Sequence, residues 1–182
     1  MKLNLLPLMA ALTAEARKDE AGTRALWETE KNNYLDVRAR QILISFKGAQ
    51  TEPGGKANPR SEAQAKALAL ALRDKLRSGA DFAALAKAQS DDASTRKQGG
   101  ELPPFTRGAM QAEFEMAAFT LQTGTVSEPV KTKYGYHLIE VLERQPFAFD
   151  RLRPTLEYLR AQRQFEAIAA SPVQLDDGYF KP

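Results

Sequence analysis

Hydrophobic positions change their period several times along the chain, and each change marks a new element. Leu5, Leu8 or Met9, Leu12 and Ala16 recur at three- and four-residue spacing, one stripe of a helix that could continue past Gly22 to Trp27. Over residues 37–46 the period is two. Ala39, Gln41, Leu43 and Ser45 alternate with Arg38, Arg40, Ile42, Ile44 and Phe46, a strand whose second half is covered on both faces. Residues 48–60 hold three Gly, two Pro and one Asn without periodicity, and read as a loop. Ser61 then caps a helix with Gln64 at the capping-box position; Ala67, Leu68, Leu72 and Leu76 follow, and Gly79 ends it. Asp81 caps a shorter helix through Phe82, Leu85 and Ala86. After a polar loop over 90–100 and a short strand, residues 111–121 predict a third helix carrying Phe114 and Phe119 and closed by Gly124. Residues 126–132 and 136–143 predict two strands around the turn Lys133-Tyr134-Gly135. Finally Leu152, Leu156, Leu159 and Ile168 line a helix starting between Asp150 and Pro154, since Pro fits only the first turn.

This order specifies an α+β fold with a small antiparallel sheet. The helical stripes at the two ends need partners, and each supplies one for the other. The expected organisation is an N-terminal helical arm (1–36), a central domain (37–145) and a C-terminal helical arm with its tail (146–182).

Composition removes several chemistries. The 182 residues contain no Cys and a single His, His137, so disulfides, thiol nucleophiles, zinc ribbons and His-rich metal sites are excluded, and no metal or cofactor is expected. Net charge is +3, and the surplus lies in the middle, with 16 basic against 12 acidic groups over residues 37–145. That is too diffuse for a nucleic-acid face, and no nucleic-acid partner is expected. No apolar run approaches the ~20 residues of a membrane span. Residues 1–16 mimic a short secretion signal, but Asn4 and Pro7 interrupt the run, and a structural helix is the preferred reading. Gly54-Gly55-Lys56-Ala57 fails as a phosphate loop, because Gln50 stands at the first Gly position and Ala57 at the Ser/Thr position. A serine hydrolase would need His137 as its base and has no Gly-x-Ser-x-Gly elbow. Asp91-Asp92 lack the alternation of a calcium loop and read, on pattern alone, as a solvated acidic turn.

From Val37 to Glu143 an ordered set of segments carries a resemblance. It runs through Val37-Arg38-Ala39-Arg40-Gln41-Ile42-Leu43-Ile44, Phe82-Ala83-Ala84-Leu85-Ala86, Ser90-Asp91-Asp92 and Gln98-Gly99-Gly100-Glu101-Leu102. It continues through Phe105-Thr106-Arg107-Gly108-Ala109-Met110, Val126-Ser127-Glu128-Pro129-Val130 and Tyr134-Gly135-Tyr136-His137-Leu138-Ile139. The set resembles the parvulin, or PpiC-type, peptidyl-prolyl cis/trans isomerases. The resemblance implies four antiparallel strands surrounded by helices, and a groove for proline-containing unfolded polypeptides. It places the apolar proline pocket on Leu102, Met110 and Phe114, with Gln111 at the rim, and the catalytic polar groups on Asp92, Thr132 and His137. The family usually has a histidine at Gln41, which here joins the polar set as an amide. Pro103-Pro104 replaces the usual glycine-aromatic pair beside the pocket.

An aromatic ring, a thioether and a branched aliphatic suit a compact pyrrolidine, but on pattern alone the same three residues fit an ordinary core. His137 is open between a core histidine tying strands together and a group in contact with substrate. Phosphate-directed parvulins use a basic cluster after the first strand; here Lys47, Lys56 and Arg60 are scattered, so phosphate dependence is not expected. The resemblance further implies a folding assistant at the periplasm or cell envelope. A catalytically weak parvulin acting as a chaperone or peptide-binding module is the alternative.

Overall fold

The computed structural model describes residues 6–50 and 60–171. Residues 34–146 form one compact unit, and helices from the two ends of the chain form another.

The central unit is built on β1 (Leu35–Ile44), β2 (Val130–Thr132) and β3 (Gly135–Pro146), in the antiparallel order β1-β3-β2. Four strands were expected and three form. The missing one is the segment 100–105, which does run antiparallel beside β1: Gln41 N–H donates to Gly100 O (2.8 Å), Leu102 N–H to Ala39 O (3.0 Å), and Val37 and Phe105 exchange bonds at 2.8 and 3.0 Å. Pro103 and Pro104 have no N–H to give, so the ladder survives only as isolated bridges at Glu101 and Phe105. Pro129 acts in the same way on the strand expected over 126–132, which shortens to β2. Upstream of it, Ser127 N–H donates to Ile139 O while the Ser127 hydroxyl takes the Ile139 N–H (both 2.9 Å).

Alternation along β1 and β3 sorts side chains onto two faces. Ile42, Ile44, Tyr136 and Leu138 pack with Ala65, Ala69, Leu72 and Leu76 of α3 (Glu62–Arg77) and Phe82 and Ala86 of α4 (Phe82–Gln89). The predicted Ser61–Gln64 capping box is present, although Ala65 rather than Ala67 faces the core. On the opposite face, Val37, Ala39, Ile139 and Val141 pack with Phe105 and with Phe114 and Ala118 of α5 (Ala112–Thr120). The sheet is thus covered on both faces, and the polar residues of interest lie on the α5 face, beside the second cluster.

The other unit contains α1 (Leu6–Lys18), α2 (Glu20–Glu30) and α6 (Phe149–Ala170). The stripe that the sequence allows to continue to Trp27 is interrupted at Asp19, which caps α2 by accepting from Gly22 N–H (2.9 Å) and is paired with Arg160 (2.5 Å). Helix α6 begins at Phe149, one residue before the expected window, and carries Pro154 inside it. Leu152, Leu156 and Ala161 are buried, whereas Ile168, expected on the apolar stripe, is 53% exposed. No described helix is long and apolar enough to cross a membrane.

Candidate active site

Register brings the first polar residues together. Leu43 pairs with His137 and Gln41 with Ile139, so Gln41 and His137 are diagonal neighbours on one face; Val130 also pairs with His137, which makes Thr132 its diagonal neighbour on the other side. Short side chains can therefore link three strands into one chain of hydrogen bonds.

The links are Asp92 Oδ2 to Gln41 Nε2 (2.8 Å), Gln41 Oε1 to His137 Nδ1 (2.8 Å), His137 Nε2 to Thr132 Oγ1 (2.7 Å) and Thr132 Oγ1 to the backbone N–H of Tyr134 (3.1 Å). Protons follow from the partners. An ionised Asp92 can only accept, so Gln41 turns its NH2 towards it and its carbonyl towards His137. That carbonyl requires a hydrogen on Nδ1; Nε2 is then the acceptor, and Thr132 donates to it. The wire has a single direction from Tyr134 N–H to the Asp92 carboxylate.

Asp92 is the terminus because every acceptor site is filled. Oδ1 takes Ser94 N–H (2.9 Å) and Ser94 Oγ–H (2.6 Å), and Oδ2 takes Gln41 and the Thr95 hydroxyl. Burial, the largest influence, pushes its pKa up, but the bonds from Ser94, Thr95 and Gln41 together outweigh it and hold the carboxyl below its ordinary value. Asp92 is 1% exposed, so the solvated acidic turn expected on pattern alone is corrected. Its neighbour Asp91 accepts from Arg60 (2.6 Å) and from Ser45 N–H (2.9 Å). Arg60, one of the three scattered cations, is thereby committed to the scaffold, and Lys56 lies outside the described residues. His137, 4% exposed, has a pKa pushed down to about 4 by burial, with the Asp92 charge acting the other way. It is a neutral imidazole at neutral pH with both nitrogens occupied. Its ring meets Phe114 edge-on (5.4 Å, 83°), so the wire also props an apolar wall.

Above this floor is a cavity of about 270 Å³ lined by all eight residues singled out in the sequence: Gln41, Asp92, Thr132 and His137 below, with Leu102, Met110, Gln111 and Phe114 around them. Its size and mixed lining suit a small apolar group with one polar edge. Ser94, Ala109 and Tyr134 line it as well, and sequence reasoning passes over all three. For Ser94 a signal exists, since a Ser two residues after an Asp commonly closes an Asx-type turn. Gly100 fits here because its φ is +85° and a Cβ would collide with the Gln41 carbonyl oxygen.

A three-strand antiparallel sheet covered by helices on both faces, with a cavity of mixed lining over a buried hydrogen-bonded floor, defines an α+β domain of the parvulin type. The PPIC-type PPIASE domain family model matches residues 24–145, and the chain belongs to that family. Among curated relatives, it is 43% identical over 159 residues to the foldase protein PrsA of Geobacillus sp., covering 87% of this chain and 49% of that one. It is 33% identical over 150 residues to the foldase protein PrsA of Caldanaerobacter subterraneus subsp. tengcongensis, covering 82% and 43%. The chain therefore spans somewhat under half the length of these relatives. The crystal structure of the peptidylprolyl isomerase PrsA from Bacillus anthracis superposes with a TM-score of 0.53 at 25% identity, over 92% of this chain and 63% of that one.

Proposed function

We propose that the chain is a peptidyl-prolyl cis/trans isomerase that assists the folding of unfolded, exported polypeptides at the cell envelope. The observation carrying this reading is the cavity of Leu102, Met110 and Phe114 over a buried hydrogen-bond wire that holds His137 as a neutral imidazole with both ring nitrogens bonded. An X-Pro amide is held planar by resonance behind a barrier of about 18–20 kcal/mol, and no bond need break to cross it. Rotation removes the charge separation that resonance creates, so the twisted amide is less polar than either planar isomer. A cavity whose apolar wall grips the pyrrolidine while the preceding carbonyl swings thus binds the transition state better than the ground states. Asp92, saturated and buried, acts through Gln41 as a positioning group. His137 serves as a floor that also holds Phe114, with no part in acid–base exchange.

The test is the slow, proline-limited refolding phase of a reduced, unfolded client protein, followed with catalytic amounts of the chain. The wild type accelerates that phase, and Phe114→Ala does so at least tenfold less. An unaccelerated phase together with suppressed client aggregation would favour the alternative, a parvulin-type peptide-binding module, for which Gln41 in place of the usual histidine is the motivating feature.

A further inference from the structure

Resting on the isomerase reading, we infer that Gln41 is itself a catalytic hydrogen-bond donor, whose second amide hydrogen meets the prolyl nitrogen as that nitrogen becomes pyramidal. A glutamine amide carries two hydrogens. One is bound to Asp92 Oδ2 at 2.8 Å, and among the described residues no other acceptor bonds to that nitrogen. Gln41 is 7% exposed, and the space it lines is the cavity. Every other hydrogen of the floor is committed: Thr132 to His137, His137 to Gln41, and the Ser94 and Thr95 hydroxyls to Asp92. The spare hydrogen is also preorganised, because Asp92 and His137 clamp the amide from both ends and fix its plane.

Which substrate atom it serves follows from the electronics of rotation. A planar amide nitrogen has its lone pair in resonance and accepts poorly; twisting releases that pair. A donor aimed at the nitrogen gains strength only in the transition state, whereas a donor aimed at the carbonyl oxygen would favour the planar forms. Histidine at position 41 could not do this. A neutral imidazole has one hydrogen and two nitrogens, and linking Asp92 to His137 uses all three. The glutamine therefore preserves the wire and adds a donor.

The experiment compares wild type with Gln41→His on a saturating X-Pro peptide by NMR exchange, alongside peptide affinity and thermal unfolding. The inference predicts at least about a tenfold fall in kcat with unchanged peptide Kd, the pattern of an interaction made only in the transition state. Equal or higher kcat in Gln41→His, or a loss confined to Kd, would overturn it while leaving the isomerase reading intact; a wild type that accelerates nothing would overturn both. If Gln41→His does not fold, the wild type decides alone. With 4-fluoroproline in the peptide, whose nitrogen is less basic, the acceleration over the uncatalysed rate should drop; an equal or larger acceleration refutes the donor.

Discussion

Replacing Asp92 by Asn should reverse the hydrogen-bond wire without breaking it. The new side-chain amide keeps an acceptor at Oδ1 for the two Ser94 donors, but presents an NH2 where Oδ2 had received Gln41 and Thr95. The Thr95 hydroxyl can rotate to accept, and the Gln41 amide must flip so that its carbonyl faces that NH2. Its own NH2 then donates to His137 Nδ1, the imidazole hydrogen moves to Nε2, and Thr132 Oγ1 accepts from both Tyr134 and His137. The wire stays connected although the Thr95 and Thr132 hydroxyl hydrogens lose the acceptors they had, and the main cost is the charge assistance of the four bonds to the carboxylate. At about 1 kcal/mol each this is about 4 kcal/mol, offset in part because no charge is then buried, for a net loss of about 2 kcal/mol. For a chain of this size the melting temperature should fall by about 4–8 °C. Because His137 is the only histidine, two-bond 1H–15N correlations of its ring report the tautomer without ambiguity. The wild type should carry its hydrogen on Nδ1 and Asp92→Asn on Nε2. A wild type protonated on Nε2, or a variant with an unchanged tautomer, would refute the directional wire.

Acid should act on stability in two separate windows. The folded His137 pKa of about 4 lies below its ordinary value of 6.5, so the unfolded chain takes a proton that the folded one refuses, and about 3 kcal/mol is lost as pH falls from 6.5 to 4. Urea unfolding at pH 7 and about pH 4.5 should show most of that loss in the wild type and much less of it in His137→Gln. Asp92, whose pKa is depressed, contributes stability above the ordinary carboxylate value, and that contribution is lost at lower pH still. Thr132→Val removes the donor to His137 Nε2 and the acceptor of Tyr134 N–H inside the protein, and should cost about 1–3 kcal/mol by chemical denaturation. Gly100→Ala places a methyl against the Gln41 carbonyl at a positive φ, and should cost more than about 1 kcal/mol and broaden the Gln41 side-chain amide resonances; sharp, unshifted signals would show that the contact yields.

Much of the scaffold is legible in the sequence because its signals are local. The Ser61 capping box, the Asp81 cap, the period of two in β1 and the Gly135 turn each lie within a few residues. The sheet lacks its fourth strand for a reason written equally locally, two prolines in succession, but the family pattern of strands points the other way. The break at Asp19 is invisible in the pattern because the apolar stripe continues in phase across it, and only the cap to Gly22 and the ion pair to Arg160 end the helix. At the site, residue identities are legible and their connection is not. Diagonal placement of Gln41, His137 and Thr132 depends on strand register, and the filling of all four acceptor positions on Asp92 depends on a turn at Ser94–Thr95 that pattern alone describes as polar loop. Both are tertiary facts, and together they convert Asp92 from an exposed acid into the buried end of a wire.

The central claim is that this cavity lowers the barrier to rotation about an X-Pro bond. It is tested most directly by two-dimensional exchange NMR on a short peptide with one proline, with and without a catalytic amount of the chain. Cis and trans signals that gain strong exchange cross-peaks on addition of protein, with their equilibrium ratio unchanged, are the predicted result. Peptide signals that shift on binding while the exchange rate stays at its uncatalysed value, tens to hundreds of seconds per event, would contradict it.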